Sequence, residues 1–128
     1  MIEHSFDNYT YWAPEYRTEG LLSPAADVYC LGLMMVELYT WRTVFDRDGA
    51  QRVARFCSSA EDRAKMAIGS WSPEDRVCFA DLAARCLEPE REARPTAAEC
   101  VIELMRVATT LGTPERPALK RARTSAGS

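Results

Sequence analysis

The pattern of apolar and polar positions along the chain predicts three principal helices, the first of which lies at the centre of the molecule. This helix, about residues 23–40, begins at Ser23-Pro24, where serine suits the N-cap and proline the first helical position. Apolar residues occur on nearly every side of it, and a helix without a polar face is expected to be buried all round. Its apolar positions are Val28, Leu31, Leu33, Met34, Met35, Val36 and Leu38.

Two amphipathic helices complete the predicted core. One begins at Ser72-Pro73 and covers about residues 73–87. The other begins at a capping box formed by Thr96 and Glu99 and covers about residues 96–111. The residues expected to face inward are Phe79, Leu82, Ala83, Cys86, Val101, Leu104, Met105 and Ala108. Gly32 in the central helix indicates that another element packs closely against the backbone there.

The remaining segments are less regular. Residues 1–22 are expected to be irregular, residues 46–49 to form a turn, and residues 50–57 and 60–68 to form short surface helices. No pattern typical of a strand occurs. The predicted fold class is therefore all-α, with a central buried helix of about residues 23–40 and helices of about residues 73–87 and 96–111 packed around it.

Composition and charge exclude several classes of protein. The 128 residues are 47% hydrophobic, which suits one small domain with a core and is too apolar for a disordered chain. A net charge of −3 argues against nucleic-acid binding through bulk charge. The longest uncharged apolar run, residues 28–36, is less than half of the ~20 residues that a membrane span needs, and no signal peptide is visible in residues 1–20. Residues 112–128 are predicted to be a disordered basic tail.

The cysteines favour a reducing, intracellular compartment, with the cytoplasm as the first choice. They number five, no C-x-x-C pair occurs, and His4 is the only histidine, so no zinc site is predicted. Each cysteine lies in an apolar stretch and is expected to pack as a small hydrophobe. A Ser–His–acid hydrolase is not expected, because Ser5 is merely the chain neighbour of His4 in an irregular segment.

Three short motifs occur in a specific order and spacing. The first is Ala13-Pro14-Glu15, the second is the stretch 23–32 with its Asp27-Val28-Tyr29 sequence, and the third is Cys86-Leu87 followed by Arg94-Pro95-Thr96. Together they resemble the C-terminal lobe of eukaryotic protein kinases, in particular the tyrosine-kinase-like and plant receptor-like branch. The resemblance covers about residues 7–108, which is less than half of a kinase domain. It divides the chain into the end of the activation segment (1–22), a C-lobe helical segment (23–111) and the tail.

The resemblance assigns structural roles to the motif residues Ala13, Pro14, Glu15, Asp27, Gly32 and Arg94. Glu15 and Arg94 are similar to an internal ion pair that ties the activation segment to the loop before the last helix. Asp27 is similar to the acid that holds the backbone of the catalytic loop. Asp27 is also explained as an acid in the first turn of a helix, where it interacts favourably with the helix dipole, and both explanations can hold together.

Other positions have two interpretations each. Asn8 and Glu37 correspond to substrate-side positions of the family, but Asp7-Asn8 replaces the usual Gly-Thr, and Glu37 is equally explained as a satisfied internal acid. Candidate phosphosites are Ser5, Thr10, Thr124 and Ser125. The favoured explanation of Ser5 and Thr10 is an ordinary polar loop, and that of Thr124 and Ser125 is a solvated charge cluster.

The motifs that hold ATP in a kinase do not occur in this sequence. It has no G-x-G-x-x-G and no H-R-D, and its sole Asp-Gly follows the A-P-E motif. We therefore expect no catalytic, cofactor-binding or metal-binding residue in this chain, with ATP and magnesium bound only by a complete kinase.

The leading functional hypothesis is a C-lobe segment of a protein kinase, a family that transfers phosphate from ATP to Ser, Thr or Tyr hydroxyls, with the chain inactive alone. The alternative is a non-catalytic, kinase-derived helical interaction module; a helical adaptor that matches kinases by accident is a weaker third. In a complete kinase, helices upstream of the activation segment also cover the central helix. One side of it is thus expected to be bare here, to be covered by a protein substrate or partner.

Overall fold

The computed structural model describes residues 12–111, and within this range the protein contains helices and no strand. The predicted all-α class is confirmed. The α-helices are α1 (Pro14–Glu19), α2 (Pro24–Thr40), α3 (Gly49–Ser58), α4 (Ala60–Met66), α5 (Pro73–Cys86) and α6 (Ala97–Leu111), with a 3-10 turn at Arg91–Ala93 before α6.

The central helix α2 begins and ends as its sequence dictates. The Ser23 hydroxyl accepts a hydrogen bond from the Ala26 N–H at 3.3 Å, and Pro24 occupies the first turn. At the other end Trp41 adopts a left-handed conformation with φ of 56°, and its N–H donates to the Glu37 carbonyl at 2.8 Å. This hydrogen bond satisfies one of the carbonyl groups that have no partner within the helix at its C-terminal end. The predicted boundaries of α2 are confirmed.

Helix α2 packs mainly against α5, and Gly32 allows the close approach. A Cβ atom at Gly32 would lie 2.8 Å from the Cβ of Cys86 and 2.9 Å from the Cγ of Leu87. These distances are too short for non-bonded carbon atoms, so only glycine fits. The expectation that an element packs against the backbone at this position is confirmed.

The burial of α2 is one-sided, which corrects the expectation of burial all round from the apolar pattern and confirms the expectation of one bare side. Val28, Leu33, Met35 and Val36 are buried, and Leu31 is half-buried. Met34 and Leu38, in contrast, are 52% and 60% exposed. The reason is that α5 and its neighbours cover one face only, and none of the residues 12–111 covers the other.

An aromatic cluster fills the core at the C-terminal end of α2. The Tyr39 ring is fully buried and lies 5.7 Å from Phe56 of α3, 5.6 Å from Trp71 and 6.2 Å from Phe79 of α5, between ring centroids. The Ile68 N–H donates to the Tyr39 carbonyl at 3.0 Å, which fixes the segment after α4 to the end of α2. Three elements thus converge on one tyrosine.

Helix α5 forms as predicted. The Ser72 hydroxyl accepts from the Asp75 N–H at 3.1 Å, and Phe79, Leu82, Ala83 and Cys86 are buried. Its apolar face lies against α2 on one side and α6 on the other.

Helix α6 begins at the predicted capping box but turns a different face inward. The Thr96 N–H donates to Glu99 Oε1 at 2.8 Å, and the Glu99 N–H donates to the Thr96 hydroxyl at 3.1 Å. Cys100 and Val107 are buried and Leu104 is half-buried, whereas the predicted inward residues Val101, Met105 and Ala108 are exposed. Each of these three lies one position after a core position, which rotates it by about 100° around the helix.

Two further expectations need correction. Residues 1–22 were expected to be irregular, but Pro14 begins the six-residue helix α1, which is too short to show a periodic pattern.

The cysteines do not all pack as hydrophobes, because Cys57 and Cys78 are exposed. Cys86 and Cys100 are buried with their sulfur atoms 3.6 Å apart, and burial raises the pKa of the Cys86 thiol to about 12. All five cysteines are free thiols.

Candidate functional site

The A-P-E motif forms an anchor at the start of α1. Ala13 is buried at the N-cap, Pro14 occupies the first helical position and Glu15 the second. Gly20, with φ of 68°, ends the helix, and its N–H donates to the Tyr16 carbonyl at 2.9 Å. This short helix directs the Glu15 carboxylate toward the loop before α6.

Glu15 and Arg94 form the predicted ion pair, although they are 79 positions apart in the chain. The guanidinium donates from Nη1 to Glu15 Oε2 and from Nη2 to Oε1, both at 2.8 Å. The Arg94 side chain is completely buried and that of Glu15 is 10% exposed. This is the two-pronged arrangement in which arginine and carboxylate bind with most geometric specificity.

The remaining donors of Arg94 bind backbone carbonyls of two different segments. Nε donates to Glu88 at 2.8 Å, Nη1 to Ala25 at 2.9 Å and Nη2 to Pro89 at 3.2 Å. All five N–H donors of the guanidinium are therefore used. The Tyr29 ring lies beneath it, with the guanidinium carbon 5.0 Å from the ring centroid. Arg94 thus joins α1, the start of α2 and the loop after α5.

The electrostatics of the pair follow from this geometry. The hydrogen bonds from Arg94 lower the pKa of the Glu15 carboxyl below its ordinary value, and they outweigh the opposing effect of burial. The Glu15 carboxyl is therefore ionised at neutral pH, as the pairing requires.

Asp27 and Glu37 lie near opposite ends of α2 and have different surroundings. Asp27 is exposed in the first turn and its side chain accepts no hydrogen bond from any residue between 12 and 111. Glu37 is half-buried, and its Oε2 accepts from the Val44 N–H at 2.9 Å and from the Thr43 hydroxyl at 3.1 Å. The carboxylate of Glu37 therefore ties the loop after α2 to the helix, as an internal acid does.

The exposed face of α2 presents a continuous row of side chains. We define the α2 stripe as Asp27, Leu31, Met34, Leu38 and Trp41. Asp27, Leu31, Met34 and Leu38 are four, three and four positions apart, which places them on one side of the helix, and Trp41 follows directly after the end of α2. The row is half-buried at Leu31, and it becomes 52%, 60% and 71% exposed at Met34, Leu38 and Trp41. The helical pattern does not identify Trp41 as part of this surface, because Trp41 follows the end of α2.

Residues 12–111 contain neither a cluster of metal-ligating side chains nor a helix that could span a membrane. No group of three or more His, Cys, Asp or Glu side chains among residues 12–111 is placed to hold a metal ion. None of the helices within that range has the length and apolar character needed to cross a bilayer. The sequence-predicted positions Ser5, Asn8, Thr10, Thr124 and Ser125, and the tail 112–128, lie outside the described residues.

Comparison with known proteins places this geometry in a family. No family model matches the chain. It is 33% identical over 106 residues to the probable serine/threonine-protein kinase PBL28 of Arabidopsis thaliana, an alignment that covers 73% of this chain and 28% of that kinase. The serine/threonine-protein kinase BIK1 of the same plant is 27% identical over 119 residues, which cover 84% of this chain and 30% of BIK1.

A solved structure shows the same arrangement of helices. The pseudokinase domain of BIR2, described as an immune regulator of the RLK/Pelle family, superposes with a TM-score of 0.67 and 26% sequence identity. The match covers 83% of this chain and 35% of that structure. The chain is a C-lobe segment of the protein-kinase fold. It is related to the plant receptor-like kinases, and it spans less than a third of the length of either kinase named above.

Within a C-lobe segment, the two features described above have distinct characters. The Glu15–Arg94 pair is closed, because every donor of the guanidinium has a partner in the segment itself. The α2 stripe is open, because its apolar side chains contact solvent. The stripe is therefore one apolar surface of this segment that is available to another polypeptide, beside the exposed Val101, Ile102 and Met105 of α6.

Proposed function

We propose that this C-lobe segment is the helical platform of a receptor-like protein kinase, and that the α2 stripe receives the part of a kinase domain that carries the catalytic loop. The observation that carries the proposal is the exposure of Met34 and Leu38 on a helix whose opposite face is packed, together with the exposure of Trp41 directly after the helix end. An apolar row of this kind marks a contact surface in a protein with an otherwise ordinary core.

The spacing of the stripe supports a helical partner. Positions that alternate by four and three residues form the seam along which two helices pack. Asp27 at the N-terminal end of this seam is exposed and accepts no side-chain hydrogen bond within residues 12–111, which suits a carboxylate that would accept from the backbone N–H groups of a partner loop.

Phosphoryl transfer from ATP to a protein Ser, Thr or Tyr hydroxyl would then belong to the assembled domain. The partner would supply the groups that bind ATP and magnesium, none of which is encoded by a known kinase motif in this chain. The Glu15–Arg94 pair would hold the end of the activation segment against this platform. Free thiols at all five cysteines support an intracellular, cytoplasmic setting.

A second candidate is a non-catalytic interaction module derived from a kinase. It is favoured by Asp7-Asn8, which replaces the Gly-Thr of the family, since asparagine lacks the hydroxyl of that threonine. The mass of the endogenous protein separates the two candidates. A species near 14.4 kDa supports the module, and one more than twice as heavy supports a complete kinase.

The experiment that tests the platform proposal is co-expression of this chain with a separate polypeptide that comprises the portion of a receptor-like kinase preceding its A-P-E motif. We expect the two to co-purify. Leu38→Asp should reduce the recovered complex at least tenfold, because it places a charge in an apolar contact.

Val77→Asp is the matched control, since Val77 is 61% exposed on α5, away from the stripe, and Leu38 is 60% exposed. It should leave co-purification unchanged. Failure of the wild-type chain to co-purify, or equal loss in both variants, would contradict the proposal.

A further inference from the structure

A small cleft lies between α4 and α5, and Tyr39 of α2 contributes to its lining. It has a water-accessible volume of about 50 Å³. Its polar lining consists of Tyr39 from α2, Arg63 from α4, and Arg76 and Asp81 from α5. We call it the Tyr39 cleft. It is separate from both the α2 stripe and the Glu15–Arg94 anchor.

Two residues that line this cleft each carry a buried polar atom without a hydrogen-bond partner among residues 12–111. These atoms are the hydroxyl oxygen of Tyr39 and the Nε of Arg76. Tyr39 as a whole is 0% exposed. Buried polar groups are nearly always hydrogen-bonded in folded proteins, so each such atom needs an explanation. A ligand group in the cleft would supply partners for both.

The charges that face the cleft are predominantly positive. Arg76 forms no ion pair with any residue between 12 and 111, and Arg63 donates only to the Phe56 carbonyl, at 3.0 Å. The single acid, Asp81, is engaged by Arg85, with Nε and Oδ2 3.3 Å apart. Two guanidinium groups therefore face the cleft without a carboxylate partner.

The protonation state of Tyr39 fits a donor role. Burial raises the pKa of its hydroxyl above the ordinary value, and Arg76 and Arg63 only partly oppose this effect. The hydroxyl therefore keeps its proton at neutral pH and can donate it in a hydrogen bond.

We propose that the Tyr39 cleft is a binding site for one oxyanion group, a phosphate or a carboxylate, held by the Tyr39 hydroxyl and the Arg76 guanidinium. The cleft volume of about 50 Å³ is several times the volume of about 10–15 Å³ that one water needs, so the cleft admits a group larger than water, such as a carboxylate or a phosphate. Water alone would satisfy the hydroxyl but would leave the arginine charge uncompensated. An oxyanion does both, and hydrogen bonds between a guanidinium and an oxyanion are the stronger kind.

The test is a titration of the complete 128-residue chain with inorganic phosphate and, separately, with acetate, at constant ionic strength. The melting temperature reports binding to the folded state. We expect a saturable rise with at least one of the two anions, and the anion that produces it identifies the phosphate or carboxylate class. Arg76→Gln should weaken the apparent affinity at least tenfold, in line with loss of a charged hydrogen bond. Tyr39→Phe should weaken it several-fold.

Arg55→Gln is the matched control, because Arg55 is exposed on α3 and its loss changes the net charge equally. It should retain the wild-type response. The Nε–H resonance of Arg76 gives a second readout and should shift with the same midpoint as the melting temperature. A response that does not saturate, or that is equal in the Arg76→Gln and Arg55→Gln variants, would overturn the proposal and leave the cleft as a water site.

Discussion

At the scale of single residues, Arg94 links segments that are distant in the described part of the chain. It binds one carboxylate, three carbonyl groups and one aromatic face, and none of its donors reaches solvent. We expect Arg94→Ala to lower the free energy of unfolding by about 3–5 kcal/mol, because Glu15 would remain as an unpaired, largely buried charge. Urea denaturation measures this loss.

Arg85→Ala is the appropriate comparison for Arg94→Ala. Arg85 pairs with Asp81 at 3.3 Å, but both side chains are substantially exposed, at 43% and 58%. Exposed pairs contribute about 0–1 kcal/mol, so this variant should lose no more than that through the pair. Equal losses in the two variants would show that the Glu15–Arg94 pair has no special stabilising role.

The same ion pair predicts a pH dependence of stability. The pKa of Glu15 is lowered in the folded state, so its contribution is complete above the ordinary glutamate pKa of about 4.3 and is lost as the pH falls through the lowered folded-state value. The difference in the free energy of unfolding between wild type and Glu15→Gln should be constant from pH 7 to 5 and should shrink below pH 4. A difference that persists undiminished in strong acid would contradict this assignment.

At the scale of helices, the contact between α2 and α5 depends on a missing side chain. Gly32→Ala should destabilise the protein by about 1–3 kcal/mol, because the new Cβ would overlap Cys86 and Leu87. Helix propensity alone would favour alanine by about 1 kcal/mol, so the sign of the change is decisive. Urea denaturation of Gly32→Ala measures this change. Ala98→Gly, at an exposed position of α6, measures the effect of helix propensity alone. Stabilisation by Gly32→Ala would refute the close approach.

Features that depend on local hydrogen bonds were predictable from the sequence. Ser23, Ser72 and the Thr96–Glu99 box each bind N–H groups within three positions, so their residue types alone define the helix starts. The inward face of α6 was not predictable from the sequence, because it depends on how α6 packs against α5. Cys100 is buried and Val101 is exposed, although both residues are apolar. The Glu15–Arg94 pair could be expected only from the family resemblance. The Tyr39 cleft needs three elements in place and has no signal in the sequence.

At the scale of the whole molecule, the segment has a well-packed interior on one side of α2 and an apolar row on the other. Hydrophobic periodicity identifies α2 as a helix buried on all sides, and that is the environment expected in a complete kinase domain. The exposed Met34, Leu38 and Trp41 therefore reflect the absence of a covering element from residues 12–111. The platform proposal follows from this mismatch between the sequence pattern and the burial.

We expect this chain to supply scaffold and no nucleotide-binding machinery. Phosphoryl transfer depends on positioning and on charge stabilisation by metal ions, a lysine and a catalytic aspartate. Glu15 and Arg94, in contrast, are fully engaged with each other and with the backbone. Calorimetric titration of the complete chain with Mg·ATP tests this expectation most directly. We expect no binding heat above that of dilution, and stoichiometric binding of Mg·ATP would contradict the account.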